Sequence, residues 1–146
     1  MARVLFALFA ALLTVPCASA ETGETGAAHA VAIQAVADQA VVDQAAAARE
    51  AGARYGQALG ALELCYGAKM TDKAKALETA YTGADLERFK MRAAKTFEVW
   101  LKVKDCQKQL DPNQCKIIMD KSCLAAEAEI GTEGKIMPGL VEFLKH

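Results

Sequence analysis

Cys65, Cys106, Cys115 and Cys123 are the residues of this chain best equipped for chemistry, and the compartment decides which chemistry they do. A free thiolate is a nucleophile or a metal ligand, whereas paired thiols in an oxidising compartment become crosslinks. The intervals between them are 41, 9 and 8 residues, and the histidines are His29 and His146. Zinc sites prefer Cys-x-x-Cys knuckles or nearby histidines, which these intervals do not supply. An even set of cysteines in a short exported chain reads instead as a disulfide framework.

Four cysteines allow three pairings. Residues 114–130 carry a helical pattern, and Cys115 and Cys123 would lie ~12 Å apart along its axis. A disulfide needs Cα atoms within about 7 Å, so a continuous helix excludes that pair. Two pairings survive. Leu110-Asp111-Pro112-Asn113 is a turn signal, and Cys106 and Cys115 flank it almost symmetrically. Cys106–Cys115 would then staple two antiparallel helices beside their turn, leaving Cys65–Cys123 to tie the first long helix to the last. Cys65–Cys115 with Cys106–Cys123 is the alternative.

Other chemistry finds little footing. His29 sits in an alanine-rich stretch without a cysteine or carboxylate cluster, and His146 is the last residue. No Ser-His-Asp order, His-Glu-x-x-His, calcium loop, phosphate-cradling glycine loop or haem-attachment motif occurs. Asp85/Glu87 and Glu127/Glu129 are two residues apart and diverge on a helix. The chain is therefore expected to have no catalytic residues, no metal and no cofactor, and not to be an enzyme. Arg88, Arg92, Lys95 and Lys102 make the helix that bears them locally basic. Such a face suits an acidic partner, lipid headgroups or a glycan, although a solvated outer face is its commoner meaning.

Helices must position all of these groups. Residues 28–66 are alanine-rich, and alanine is the strongest helix former. Within them Gly52, Gly56 and Gly60 share one stripe, which suits close approach of another backbone or local flexibility. Tyr55, Leu59, Leu62 and Tyr66 make a core stripe. Thr71 or Asp72 can cap a short helix through about Ala80. Residues 84–109 are the best-patterned element, with Leu86, Phe89, Ala93, Phe97, Trp100 and Leu101 at helical intervals. Pro112 interrupts, and the last main helix follows with Ile117, Ile118 and Leu124 as its core candidates. Residues 131–146 form an apolar tail suited to folding back on the bundle. The expected fold is all-α: a small bundle of three main helices plus one short helix, carrying two disulfides. Residues 28–146 make its single domain, after a flexible lead-in over residues 21–27.

The first twenty residues have the layout of a cleaved secretory signal: Arg3, a short apolar run, then Cys17-Ala18-Ser19-Ala20. That run is too short to span ~30 Å of hydrocarbon comfortably, so cleavage near Ala20 is expected and no membrane span. The full chain balances 17 Lys+Arg against 18 Asp+Glu, and loss of Arg3 moves its net charge from −1 to −2. Nucleic-acid binders concentrate a basic surplus, so nucleic acid is not an expected partner.

The spacing Cys65-x40-Cys106-x8-Cys115-x7-Cys123 loosely resembles the last four cysteines of insect odorant-binding proteins, which are secreted helical carriers. The chain lacks that family's opening cysteine, is alanine-rich before the first match, and is one residue short in the final interval. Small periplasmic helical chaperones and adaptors are similar in size and composition, but none of their motifs occurs. Neither family is assigned. The expected function is that of an exported protein, periplasmic or extracellular, that binds another protein of the envelope or extracellular space. An adaptor, a chaperone-like protein or an envelope-complex subunit would fit. Self-association through the alanine-rich helix is a further expectation. The alternative is a carrier holding a small apolar ligand between Phe89, Phe97, Trp100, Tyr55 and Leu62.

Overall fold

The computed structural model of the protein describes residues 25–108 and 110–144. The expected signal segment, most of the lead-in, and His146 lie outside the described residues. Helix α1 runs over Thr25–Leu64, α2 over Asp72–Ala76, α3 over Gly83–Lys104 and α4 over Pro112–Ile130. Single 3-10 turns follow α2 at Leu77–Thr79 and α3 at Asp105–Lys108. Two short strands, β1 (Lys69–Met70) and β2 (Val141–Glu142), pair antiparallel with Met70 opposite Val141. The protein is thus all-α apart from this minor sheet.

The ends of the helices follow local chemistry. Thr71 caps α2, its hydroxyl accepting from the Ala74 backbone N–H. Asp111 caps α4 by accepting from the backbone N–H groups of Asn113 and Gln114. Pro112 takes the first helical position, where a missing N–H costs nothing. Asp85 in the first turn of α3 suits the positive end of its dipole, and Lys102 and Lys104 suit the other end.

The main contact of the bundle joins α1 to α3. A Cβ built on Gly52 would overlap the Phe89 carbonyl, one on Gly56 the Ala93 carbonyl, and one on Gly60 the Trp100 ring. The glycines therefore let the two helices meet at backbone distance. Both partner series ascend together, so α1 and α3 run parallel. A parallel pair needs a return connection, and residues 65–82, containing β1 and α2, supply it. Glu63 and Lys104 close the far end of the seam at 2.6 Å.

Helix α4 runs antiparallel to α1. Cys65 is bonded to Cys123 and Arg54 meets Glu129, so the order along one helix reverses along the other. Arg54 donates to Glu129 at 2.6 Å, to Glu50 at 2.7 Å and to Gln57 at 3.1 Å. The buried Gln57 amide donates to Glu129 as well, completing the clasp. Cys106 is bonded to Cys115 across the turn between α3 and α4. Both bridges have Cα atoms 5.6 Å apart, within the ordinary range. The bundle thus adopts the pairing that staples the Leu110–Asn113 turn.

Two buried clusters lie along the seam. One gathers Tyr55, Phe89, Ala51 and Ala93; the other gathers Trp100, Ala58, Ala61, Ala126, Ile130, Leu140 and Val141. Met70, Leu77 and Met137 pack against both. The tail folds back on the bundle: Leu140 and Val141 are fully buried, and the Thr71 hydroxyl donates to the Gly139 carbonyl at 2.7 Å. Several expected core residues lie elsewhere. Ile117, Ile118 and Leu124 are exposed, because α4 presents Cys115, Ala126 and Ile130 inward. Tyr66 and Leu62 are exposed too, Tyr66 lying just beyond the last turn of α1.

The glycine seam generates the first prediction. Replacing an exposed helix-interior glycine by alanine stabilises by about 1 kcal/mol on propensity alone. Gly56→Ala should instead destabilise by about 1–3 kcal/mol in urea denaturation, because its methyl meets the α3 backbone. A gain in stability would mean that α3 does not lie on this stripe. The crosslinks generate the second. They close separations of 58 and 9 residues, so chain entropy predicts a larger loss for Cys65→Ser/Cys123→Ser (about 4 kcal/mol) than for Cys106→Ser/Cys115→Ser (about 2.5 kcal/mol). Thermal unfolding of the two double variants checks the order.

Candidate functional site

All four described cysteines are consumed by the two bridges, which leaves no thiol among them to attack or to ligate. Among the described residues, no group of three or more His, Cys, Asp or Glu side chains is gathered as a metal site would need. The Glu129 carboxylate, one member of a carboxylate pair singled out in the sequence, is held in the Arg54 clasp.

The aromatic set divides. Tyr55 and Phe89 pack together, ring centroids 5.4 Å apart, and Tyr81 stacks on Phe89 at 5.5 Å. The Tyr55 hydroxyl donates to the Glu78 carboxylate. Beside them lies a shallow cleft of about 330 Å³ whose walls include Leu86 and whose mouth carries Glu78 and Lys90. Trp100 belongs to the other cluster, Phe97 is half-buried outside both, and Leu62 faces solvent. Eleven residues of helix separate Phe89 from Trp100, about 16 Å, so one small ligand would not touch both.

The basic residues do share a face of α3. Arg88 is half-buried and paired with Asp85 at 2.8 Å. Arg92, Lys95 and Lys102 are exposed, and among the described residues none of them stands within ion-pair distance of a carboxylate. Met91 and Val99 stand exposed among them.

A larger groove of about 460 Å³ lies beside the Cys65–Cys123 bridge, between the end of α1, α4 and the tail. Leu64, Tyr66, Met119, Leu124, Phe143 and Leu144 line it, with Asp120 and Glu127 at its edge. Tyr66 is 82% exposed and Leu124 64%. The sequence signal for this groove was the apolar excess of α4 and the tail. Periodicity assigned that excess to the core because it does not say which faces the neighbouring helices cover.

A further uncovered surface belongs to α1. This helix is 40 residues long, ~60 Å, and among its described side chains the first buried one is Ala48. Counting back from the Gly52–Phe89 contact, the first turn of α3 stands beside about residue 46 of α1. N-terminal to that point the helix continues without α3 beside it. Residues 38–47 are all exposed except the half-buried Ala45. Val41, Ala45, Ala48 and Gly52 fall on one stripe, so the face that α3 covers further along runs on uncovered into this arm. Val41 is 65% exposed and Val42 beside it 61%. Among the described residues no helix is long and apolar enough to cross a membrane.

Comparison of the chain with known protein families, with curated proteins and with solved structures finds no match.

Proposed function

We propose that this protein is exported and non-catalytic, and that it acts by binding another protein through the projecting half of α1. One observation carries this reading: the α3-facing stripe of α1 runs on past the start of α3, through the half-buried Ala45, to Val41, which with its neighbour Val42 is exposed. A stripe of alanine and valine buries little area per residue but admits a partner helix at close range, which suits docking on a complementary surface. The two disulfides support an oxidising compartment, in agreement with the secretory layout of the first twenty residues. With every described thiol paired and no gathered metal site among the described residues, the features that could support catalysis are few.

A carrier of a small apolar ligand is the second reading. The groove beside Cys65–Cys123 favours it, being apolar on its floor and within the size range of small-molecule sites.

Chemical crosslinking of the oxidised protein in extract from its native compartment tests the first reading against the second. Wild type is expected to capture a reproducible partner that Val41→Glu/Val42→Glu does not, with circular dichroism showing both proteins equally helical. Equal capture by the two proteins, or none by either, would remove the support. In native mass spectrometry, a small molecule released by Leu124→Glu but retained by the arm variant would favour the carrier instead.

A further inference from the structure

Resting on the reading of the arm as a contact surface, we infer that its partner is the same arm of a second copy of this chain, packed antiparallel about a two-fold axis. Asp38, Val42, Ala45 and Arg49 are spaced by four, three and four residues, which puts them on one stripe of α1 about 16 Å long. All are exposed save the half-buried Ala45. The order along that stripe is acid, valine, alanine, base. Turned end over end and laid on itself, it sets Asp38 against Arg49 twice and Val42 against Ala45 twice. One two-fold axis, between Asp43 and Gln44, therefore satisfies every one of these pairs, as an isologous contact requires.

The charges also exclude the other arrangement. A parallel pair would face Asp38 with Asp38 and Arg49 with Arg49, which repels at both ends. Among the described residues neither Asp38 nor Arg49 is in an ion pair within its own chain. They cannot pair with each other there, because eleven residues of one rigid helix hold them far apart. Asp43, which accepts from Gln39 at 2.9 Å, lies off this stripe and leaves it unobstructed. Valine and alanine between the charges allow the axes to approach at the short end of the usual 8–10 Å. The contact is confined to these four positions: beyond Arg49 the stripe runs into Gly52 and Gly56, which α3 covers, so the two arms must cross at an angle that carries each past the other's α3.

Sedimentation equilibrium of the oxidised full chain over a range of concentrations tests the inference. Wild type should dimerise reversibly, and more weakly as salt is raised. Asp38→Arg and Arg49→Asp should each weaken the dimer by about tenfold or more, since each turns two exposed attractions into two repulsions. An equimolar mixture of the two single variants should form a heterodimer, because both cross-pairs are then opposite in sign. The double variant, with both charges exchanged in one chain, should dimerise again. A merely structural role for either residue would give no such rescue. A wild type that stays monomeric at every concentration, or single variants whose mixture does not associate, would overturn the inference. The reading of the arm as a contact for a different protein would still stand or fall by the capture experiment.

Discussion

The approach of α3 to α1 at backbone distance is the constraint from which the remaining structure follows. Three glycines in a helix interior each cost about 1 kcal/mol relative to alanine, and here they stand where the Phe89 and Ala93 carbonyls and the Trp100 ring would strike a methyl group. The close seam recovers that cost through dispersion and burial along three turns of both helices. It also sets direction. Because α1 and α3 run parallel, residues 65–82 must travel back along the pair. That return path carries Ala74 and Leu77 into the core and lays β1 where the tail can pair with it. Tyr81, at the end of the path, reaches Phe89 beside the beginning of the seam.

Helix α4 depends on the seam less directly. It packs more sparsely on α1 and α3 than they pack on each other, and its largest fully buried side chain is Ile130. A small domain with so modest a third layer gains from covalent closure: one bridge ties the first turn of α4 to the 3-10 turn after α3, and the other ties the middle of α4 to the residue that follows α1. The Arg54 clasp adds direction to this contact, since one guanidinium meets acceptors on both helices. The outer face of α4 is left apolar, and with the tail it forms the groove beside Cys65–Cys123.

Much of this was legible in the residues because local rules decided it. Alanine content, Thr71, Pro112 and the turn around Asp111 placed the helices within a few residues of their observed ends. The four-residue glycine spacing was legible as close approach or local flexibility; the structure shows the first, and only the structure says which helix approaches. Helix rise removed one of the three cysteine pairings and the turn favoured the observed one, but Cys65–Cys115 with Cys106–Cys123 stayed open until the structure showed the bridges. What failed were inferences about which face a neighbour covers. Ile117, Ile118 and Leu124 are apolar at helical spacing yet face outward, because the bridges orient Cys115 and Cys123 toward the bundle and turn those residues away. Tyr55, Phe89, Phe97, Trp100 and Leu62 share a pattern but not a pocket, since they are strung along the length of the seam rather than around one point. The two-residue strands were too short to leave any alternation in the sequence. The projecting arm depends on where α3 starts relative to α1, a register that only the three-dimensional contacts reveal.

Helix α1 therefore divides: from Ala48 on it is locked in the glycine seam, while residues 38–47, the stretch proposed as a contact surface, are exposed but for the half-buried Ala45. Hydrogen–deuterium exchange of the oxidised chain at high dilution measures that division directly, because amides in a packed helix open only with the bundle while those of an unsupported helix open locally. The account predicts slow exchange from Ala48 through Ala61 and much faster exchange over residues 38–45, with the boundary near the start of α3. Equal protection on both sides of that boundary, or rapid exchange at Gly52, Gly56 and Gly60, would contradict it.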